Sequence, residues 1–234
     1  MFDKDDYIKV IDLLTEHGWT ASLDWHSQQA VNNVLIRHDI DFSIEYAYEV
    51  AQLERELGIT STYFFMISSN MYNLFSQKNI NLVHKIRDLN HKVSLHYDPT
   101  VYTSDNFFAW EKASFEEIFN VEIDIVSIHR PRDFLIENNK LINGIAHTYM
   151  DKYFKDMVYI SDSGGKEIYQ KIQEYVKLPP KKPLQLLTHP IWWQGKSTSP
   201  TETLNAWKIE NCKFLVDELK ANCGSYKGCN ACKK

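Results

Sequence analysis

The sequence is poor in several features that would place it in a familiar class of proteins. Its 234 residues hold 26 Lys and Arg against 31 Asp and Glu, a formal net charge of −5. Because nucleic-acid-binding domains usually carry a basic surface, we expect no nucleic-acid partner. No apolar run approaches the ~20 residues of a membrane-spanning helix, so we expect no membrane insertion. The acidic residues after Met1 lack the apolar core of a signal peptide, and we expect a cytoplasmic protein.

Two common catalytic motif classes are also missing. The sequence has neither G-x-x-x-x-G-K nor G-x-G-x-x-G, which disfavours a phosphate-binding loop. It has no G-x-S-x-G segment, which disfavours a serine nucleophile on a strand-to-helix turn. The glycines of "SDSGG" at 161–165 follow the serines instead of framing one.

Cysteine is absent from residues 1–211. Cys212, Cys223, Cys229 and Cys232 all lie in 212–234. A reducing cytoplasm disfavours disulfides. The C-x5-C-x2-C spacing permits a structural zinc site, and the alternative is a loosely ordered tail with reduced thiols. We therefore predict one domain over 1–211, followed by a cysteine-containing tail.

What the sequence does contain is an alternation of helical and strand patterns. Apolar strand segments such as "VLIRH" at 34–38 and "TSTYFFMI" at 60–67 are separated by amphipathic helical segments. Several strands are apolar on both faces, as in a buried parallel sheet. The pattern predicts an α/β fold built on a parallel sheet or barrel.

Polar residues with catalytic or metal-binding chemistry follow five of these strands. Because the carboxyl ends of parallel strands meet at one edge, these side chains are expected to form one site. Carboxylate and imidazole ligands fit Zn²⁺, or alternatively Co²⁺, Ni²⁺ or Mn²⁺. The residues are Asp39, Asp41, His96, His129, Arg130, Asp162, Ser163 and His189.

Four stretches, in order within residues 31–195, resemble motifs of the NodB-type polysaccharide deacetylases. "RHDID" (37–41) resembles T-F-D-D-G, and "NHKVSLHYDPT" (90–100) resembles G-H-E-I-G-N-H, which opens H-[S/T]-x-x-H. "HRPRDF" (129–134) resembles R-P-P-Y, and "LLTHP" (186–190) resembles L-x-x-H. The resemblance implies a distorted (β/α) barrel. It is closest to a divergent branch associated with bacterial surface-polysaccharide biosynthesis.

The resemblance also implies roles for individual residues in a metal-dependent carbohydrate deacetylase. Asp39 would be the catalytic base, and Arg130 would orient it. Asp41 and His96 would bind the metal ion. His189 would be the general acid that protonates the leaving amine.

The sequence departs from the family pattern at two points. Asp39 and Asp41 are separated by one residue instead of being adjacent. Strand alternation then points both the same way, or one of them lies on the turn, and we favour the arrangement in which both face the metal. Thr100 stands where the family's second histidine ligand is expected, and we assign His129 as the third ligand instead. The alternatives for this ligand are His38 and Asp98.

Aromatic residues near the motifs are candidates for binding a sugar ring. Tyr97, Trp192 and Trp193 are predicted to contact the substrate, although packing beneath the rim is an equal alternative. Asp162 is predicted either to orient His189 or to be a turn residue.

The predicted function is removal of an acetyl group from an N-acetylated sugar or sugar precursor in polysaccharide biosynthesis. Three alternatives remain at this stage. One is a non-catalytic carbohydrate-binding protein on the same scaffold, and another is a metal-dependent hydrolase of a different acyl amide or an O-acetyl ester. The third is an assembly protein whose tail docks a partner. The sugar, its polymeric, lipid-linked or nucleotide-linked carrier and the oligomeric state are left open.

Overall fold

The computed structural model describes residues 3–101, 106–131, 139–194, 197 and 199–228. The α-helices of this part of the chain are α1 (Lys4–Glu16), α2 (Ile44–Glu56), α3 (Gln77–Asp88), α4 (Asn106–Phe119), α5 (Asp151–Phe154), α6 (Tyr169–Val176) and α7 (Pro200–Asn222). The strands are β1 (Thr20–Ala21), β2 (Asn33–Ile40), β3 (Thr62–Phe65), β4 (Lys92–Tyr97), β5 (Ile125–Ile128), β6 (Ala146–His147), β7 (Val158–Ser161) and β8 (Leu184–Thr188). A 3-10 helix at Pro190–Trp193 follows β8.

Helix α2 illustrates how the local sequence sets the ends of an element. Ser43 is extended, and its hydroxyl accepts a hydrogen bond from the Tyr46 N–H, which satisfies one free donor of the first turn. Ile44 and Ala47 are buried on one face of the helix. Gly58 follows with φ +72°, a left-handed conformation that glycine adopts without steric cost.

The strands form one parallel sheet that curls on itself. Their order is β6-β5-β4-β3-β2-β8-β7, and β1 pairs with the start of β2. Gln185 on β8 donates hydrogen bonds to the carbonyls of Thr148 and Tyr153, at 3.3 and 2.7 Å. Both carbonyls follow β6, at the far end of the strand order, so these bonds span the inside of the curl. The predicted α/β fold, a distorted (β/α) barrel, is confirmed.

Alternate residues of β2 line the inside of the curl and change from apolar to ionic along the strand. Leu35 packs in an inner core cluster with Trp25. Arg37 and Asp39 follow at intervals of two residues and are also buried. Because side chains alternate between the faces of a strand, Asp41 continues this row just past its end. The carboxyl end of the sheet therefore carries the polar residues.

The last helix extends beyond the predicted end of the domain. The predicted division of the chain after residue 211 falls inside α7. Cys212 lies half-buried on this helix and Cys223 is exposed at its end, whereas Cys229 and Cys232 lie outside the described residues. The separate tail and its zinc site stay predictions. Within the described ranges, no helix has both the length and the apolar character that crossing a membrane requires.

Candidate metal and acid–base site

Three of the predicted ligands converge at the carboxyl end of the sheet. Asp41 follows β2, His96 lies near the end of β4, and His129 follows β5. Asp41 Oδ1 is 3.2 Å from His96 Nε2 and 3.5 Å from His129 Nδ1. The two imidazole nitrogens are 3.3 Å apart. One ligand atom from each residue thus lies within 4.8 Å of the others, close enough to share a single metal ion.

The chemistry of this cluster fits a divalent metal ion. Asp41 Oδ1 is buried and takes no well-oriented hydrogen bond within the described residues, although two imidazoles lie close to it. A buried carboxylate oxygen without a partner is costly, and a cation between the three ligands would satisfy it. Burial raises the pKa of Asp41, but the imidazoles of His129 and His96 outweigh this and hold it below its ordinary range. One carboxylate and two imidazoles form a known hydrolytic zinc ligand set.

Asp39, the predicted base, lies beside this cluster and is almost fully buried. Its Oδ2 atom accepts hydrogen bonds from Arg37 Nη2 at 3.0 Å and from Ser127 Oγ at 2.9 Å. Burial raises the pKa of Asp39, but the charges of Arg37 and His96 lower it overall, so the carboxylate is ionised. Its Oδ1 atom has no hydrogen-bond partner in the described part of the chain and keeps lone pairs available for a proton.

The guanidinium that holds Asp39 belongs to Arg37, whereas the resemblance implied Arg130. Arg37 also donates to Gln185 Oε1 at 3.0 Å and to the Tyr149 hydroxyl at 2.9 Å. Arg130 is exposed in a turn after β5, with φ +52°. Arg37 and Asp39 are two residues apart on β2, so they share a face. This alternation is visible in "RHDID", and the pair could have been found from the sequence.

His189, the predicted general acid, is fixed by Asp162. His189 Nδ1 lies 2.6 Å from Asp162 Oδ1, and its backbone N–H donates to Oδ2 at 2.9 Å. The Trp193 indole donates to the same Oδ2 at 2.8 Å. Burial lowers the pKa of His189, but the Asp162 carboxylate outweighs this and raises it to about 9. His189 Nε2 is 3.9 Å from Asp41 Oδ2, so the free nitrogen faces the cluster.

The other candidates for the third ligand lie outside the cluster. Thr100 donates its N–H and hydroxyl to Asp98 Oδ1, at 2.9 and 2.6 Å. Asp98 Oδ2 is 3.9 Å from His129 Nε2, so Asp98 borders the imidazole and lies behind it. His38 points to the opposite face of β2, where its Nε2 is 3.0 Å from Glu54. Of the three alternatives, the structure brings His129 to Asp41.

The aromatic residues predicted to contact a sugar are buried. Trp193 is 1% exposed and Trp192 6% exposed, and both pack in the core cluster that includes residues of α1. Tyr97 is 6% exposed, and its ring packs 5.0 Å from that of Phe108. In the structure these three rings therefore pack in the interior, which is the alternative that the sequence left open to contact with a sugar. The three aromatic residues are close in sequence to His96 and His189, but closeness in sequence does not show which way a side chain points.

Comparison with known proteins gives similarity only at the level of structure. The sequence matches no protein-family model, and no curated protein matches it significantly. The chain is similar to a CE4 family pseudoenzyme from Bacillus anthracis, with a TM-score of 0.42 and 15% identity. That match covers 77% of this chain and 60% of the other, so the chain spans less than two thirds of that protein.

Two further similarities are to enzymes. The first is a chitin deacetylase from Colletotrichum lindemuthianum, with a TM-score of 0.45, 14% identity and coverage of 74% of this chain and 80% of the other. The second is a family 4 acetyl xylan esterase from Clostridium thermocellum, solved with a cobalt ion, with a TM-score of 0.43, 13% identity and coverage of 82% and 91%. The structural neighbours are thus deacetylases and esterases of the CE4 type together with a CE4 pseudoenzyme, which is the family named by the resemblance, whereas the biosynthetic branch stays a prediction.

Proposed function

We propose that the protein is a metal-dependent hydrolase that removes an acetyl group from an N-acetylated sugar or sugar precursor. The observation that carries this proposal is the placement of three potential ligands between a buried carboxylate and a buried imidazole. Asp41, His96 and His129 would hold the ion, which would polarise the acetyl carbonyl and lower the pKa of a water molecule. A role in polysaccharide biosynthesis, a cytoplasmic location and the lack of a nucleic-acid partner belong to the same proposal as expectations.

Asp39 is suited to accept the proton of the attacking water. Arg37 and Ser127 both bind its Oδ2 atom, which fixes the carboxylate and keeps it ionised. The Oδ1 atom then provides the basic lone pair. As the water oxygen bonds to the acetyl carbon, its proton passes to Asp39.

His189 is suited to release the amine. Asp162 binds Nδ1 and favours the doubly protonated imidazole, so Nε2 carries the proton that is given up. When the bond between the acetyl carbon and nitrogen breaks, that proton passes to the sugar nitrogen. The products are acetate and the free amino sugar, and both the base and the acid come from the carboxyl ends of neighbouring strands.

The test is metal content by elemental analysis, together with acetate release. Tail cysteines Cys223, Cys229 and Cys232 are replaced by serine in every sample, so that zinc bound there cannot enter the count. We expect close to one equivalent of metal in this background protein and a loss of it in His96→Ala. Thr100→Ala is the matched control, because Thr100 hydrogen-bonds Asp98 outside the cluster.

Asp39→Asn separates binding of the metal from catalysis. We expect this variant to keep the metal and to lose acetate release, because an amide cannot serve as the base. Parallel assays on N-acetylated and O-acetylated sugars distinguish a deacetylase from an esterase. A protein that holds no metal after reconstitution would contradict the proposal and favour a non-catalytic carbohydrate-binding protein.

A further inference from the structure

A buried polar cluster lies on the face of β2 that points away from the metal ligands, between this strand and α2. Its centre is the carboxylate of Glu54, which is fully buried. Glu54 Oε1 lies 3.0 Å from His38 Nε2 and accepts a hydrogen bond from the Tyr7 hydroxyl at 2.5 Å. The other oxygen, Oε2, accepts hydrogen bonds from Ser61 and Tyr63. The carboxylate is thus satisfied on both oxygens and holds the His38 imidazole in one orientation.

The imidazole of His38 reaches β8 through its other nitrogen. His38 Nδ1 lies 2.7 Å from the hydroxyl of Thr188, which is a hydrogen-bonding distance. The two residues are register partners on the adjacent strands β2 and β8, and they form the final pair of that ladder. Both side chains are fully buried. The Glu54 carboxylate, the imidazole and the hydroxyl therefore form one chain of polar groups across the two strands.

The residues that follow this final pair are the proposed base and acid. Asp39 comes directly after His38, and His189 comes directly after Thr188. Because successive side chains of a strand alternate between its faces, Asp39 and His189 point into the curl of the sheet while the final pair points outward. The backbone ladder ends at this pair. The side-chain hydrogen bond between His38 and Thr188 therefore fixes the spacing of the two strands immediately before the base and the acid.

A second route links the same carboxylate to Asp162, which binds the His189 imidazole. The ring of Tyr7 packs edge-to-face against that of Trp193, with the ring centroids 5.2 Å apart. The Trp193 indole in turn donates a hydrogen bond to Asp162 Oδ2 at 2.8 Å. The Glu54 cluster thus supports the acid from two directions, through the end of β8 and through the carboxylate that holds the acid's proton.

We propose that His38, held by Glu54, is a positioning residue for the proposed reaction. Through Thr188 it keeps His189 at the distance and orientation from Asp39 that the two proton transfers require. The inference rests on the proposed function for the roles of the base and the acid. Because a displacement of about 1 Å can lower a rate about 100-fold, one hydrogen bond at this point is enough to affect catalysis.

The experiment compares deletions of single buried hydroxyls in the full-length, zinc-loaded protein, with the tetrasaccharide of N-acetylglucosamine as the probe for acetate release. Thr188→Val removes the hydroxyl that meets His38 and keeps the shape of the side chain, whereas Thr188→Ser keeps the hydroxyl. We expect Thr188→Val to lower kcat about 10–100-fold and to leave KM nearly unchanged, because the hydroxyl does not touch the substrate. Thr188→Ser should restore most of kcat.

Ser61→Ala is the matched control for Thr188→Val. It also removes one hydroxyl from the Glu54 cluster, but Ser61 binds the other carboxylate oxygen and lies beside β3, across β2 from β8. We expect Ser61→Ala to lower the free energy of unfolding, since a hydrogen bond to an ionised group is lost, and to keep most of kcat.

Two substitutions of His38 separate its two hydrogen bonds. The amide of His38→Asn occupies the place of Nδ1, so it keeps a partner for Thr188 and gives up Glu54. The longer side chain of His38→Gln reaches Glu54 and gives up Thr188. His38→Asn should unfold at the lower urea concentration, because a hydrogen bond to an ionised group contributes more than a neutral one, and yet it should have the higher kcat. A merely structural role would give stability and kcat the same order.

Hydrogen exchange gives a measurement that needs no turnover. The proton between His189 Nδ1 and Asp162 is observed by NMR with isotope-labelled histidine and is assigned by its loss in Asp162→Asn. We expect it to exchange with water about tenfold faster in Thr188→Val and His38→Gln, as the loss of one neutral hydrogen bond would allow. Thr188→Ser and Ser61→Ala should keep the wild-type rate.

The outcomes separate this inference from the proposed function. Unchanged kcat and unchanged exchange in Thr188→Val would overturn the inference, and so would equal losses in Thr188→Val and Ser61→Ala. A kcat for His38→Asn below that of His38→Gln would also overturn it. Faster exchange confined to Thr188→Val and His38→Gln, in a protein that releases no acetate from N-acetylated or O-acetylated sugars, would leave the positioning of His189 assigned and overturn the hydrolase instead.

Discussion

Arg37 and Asp39 form an ion pair of 3.0 Å inside the curled sheet, where their side chains are 0% and 3% exposed. Removal of one partner from such a pair leaves an uncompensated buried charge. We therefore expect Arg37→Met to lower the free energy of unfolding by about 3–5 kcal/mol, measured by urea denaturation. The loss also disrupts hydrogen bonds to Gln185 and Tyr149.

Arg130→Met is the matched control for this prediction, because it removes the exposed arginine that the family resemblance pointed to. We expect it to change the free energy of unfolding by no more than about 0.5 kcal/mol. Addition of Asp39→Asn to Arg37→Met is expected to recover part of the loss, since the unpaired charge is then removed. Equal costs for the two arginine variants would contradict the assignment of Arg37.

The pair formed by His189 and Asp162 makes a prediction about titration. In metal-free protein, we expect the His189 imidazole to titrate near pH 9 rather than at the ordinary value of 6.5, because the Asp162 carboxylate stabilises its cation. Asp162→Asn should lower this pKa, as followed by NMR of the imidazole resonances. Trp193→Phe removes one hydrogen bond to Asp162 but keeps its charge, so the pKa of His189 should stay well above 6.5.

The sign of the stability effect follows from the same shift. The folded pKa of His189 is raised above its unfolded value, so protonation favours the folded state. This contribution is fully present below pH 6.5 and is lost as the pH rises through about 9. In metal-free protein, Asp162→Asn should therefore flatten the fall in stability over that interval. An unchanged slope would show that Asp162 does not hold the proton on His189.

Much of the fold could be predicted because strand and helix periods are local properties of the sequence. The apolar segments at 34–38 and 60–67 identified strands β2 and β3 directly. The convergence of Asp41, His96 and His129 also followed from parallel topology, since each comes at or near the end of a strand. The curl of the sheet brings the side chain of Gln185 to carbonyls far away in sequence, and no local pattern encodes that approach.

The direction of a side chain could not be predicted where it depends on tertiary structure. Trp192 and Trp193 follow His189 closely, but the 3-10 helix turns both rings into the core. Arg37 differs from these cases. Strand alternation alone places its side chain beside that of Asp39, but the family motif drew attention to Arg130 instead.

The identity of the third metal ligand yields a separate prediction. His129→Ala should lose bound metal, because it removes one of three ligand atoms. Asp98→Asn should keep the metal and weaken its binding by at most about 10–100-fold, since Asp98 only borders the His129 imidazole. Competition with a chelator measures both affinities. The reverse order of effects would make Asp98 the ligand.

Glu54 provides a prediction on stability that is independent of the metal. Glu54 lies on α2 and is fully buried between this helix and β2. It accepts hydrogen bonds from Tyr7 at 2.5 Å, from Tyr63 at 2.7 Å and from Ser61, and its carboxylate is 3.0 Å from His38 Nε2. Burial raises the pKa of Glu54, but the charge and the hydrogen bond of His38 outweigh this and lower it from 4.5 to about 2. The folded state therefore favours the ionised carboxylate.

The direction of the pH effect on stability follows because the pKa of Glu54 is lower in the folded state than in the unfolded state. Glu54 contributes stability above pH 4.5, and this contribution is lost as the pH falls toward about 2. Urea denaturation across that interval should show a steep loss of stability in the wild type and a shallower one in Glu54→Gln, which cannot ionise. Glu49→Gln is the matched control, because Glu49 pairs with Lys4 at an exposed position and should keep the wild-type slope. Identical slopes in all three proteins would mean that the pKa of the Glu54 carboxyl is the same in the folded and unfolded states, which would contradict this prediction.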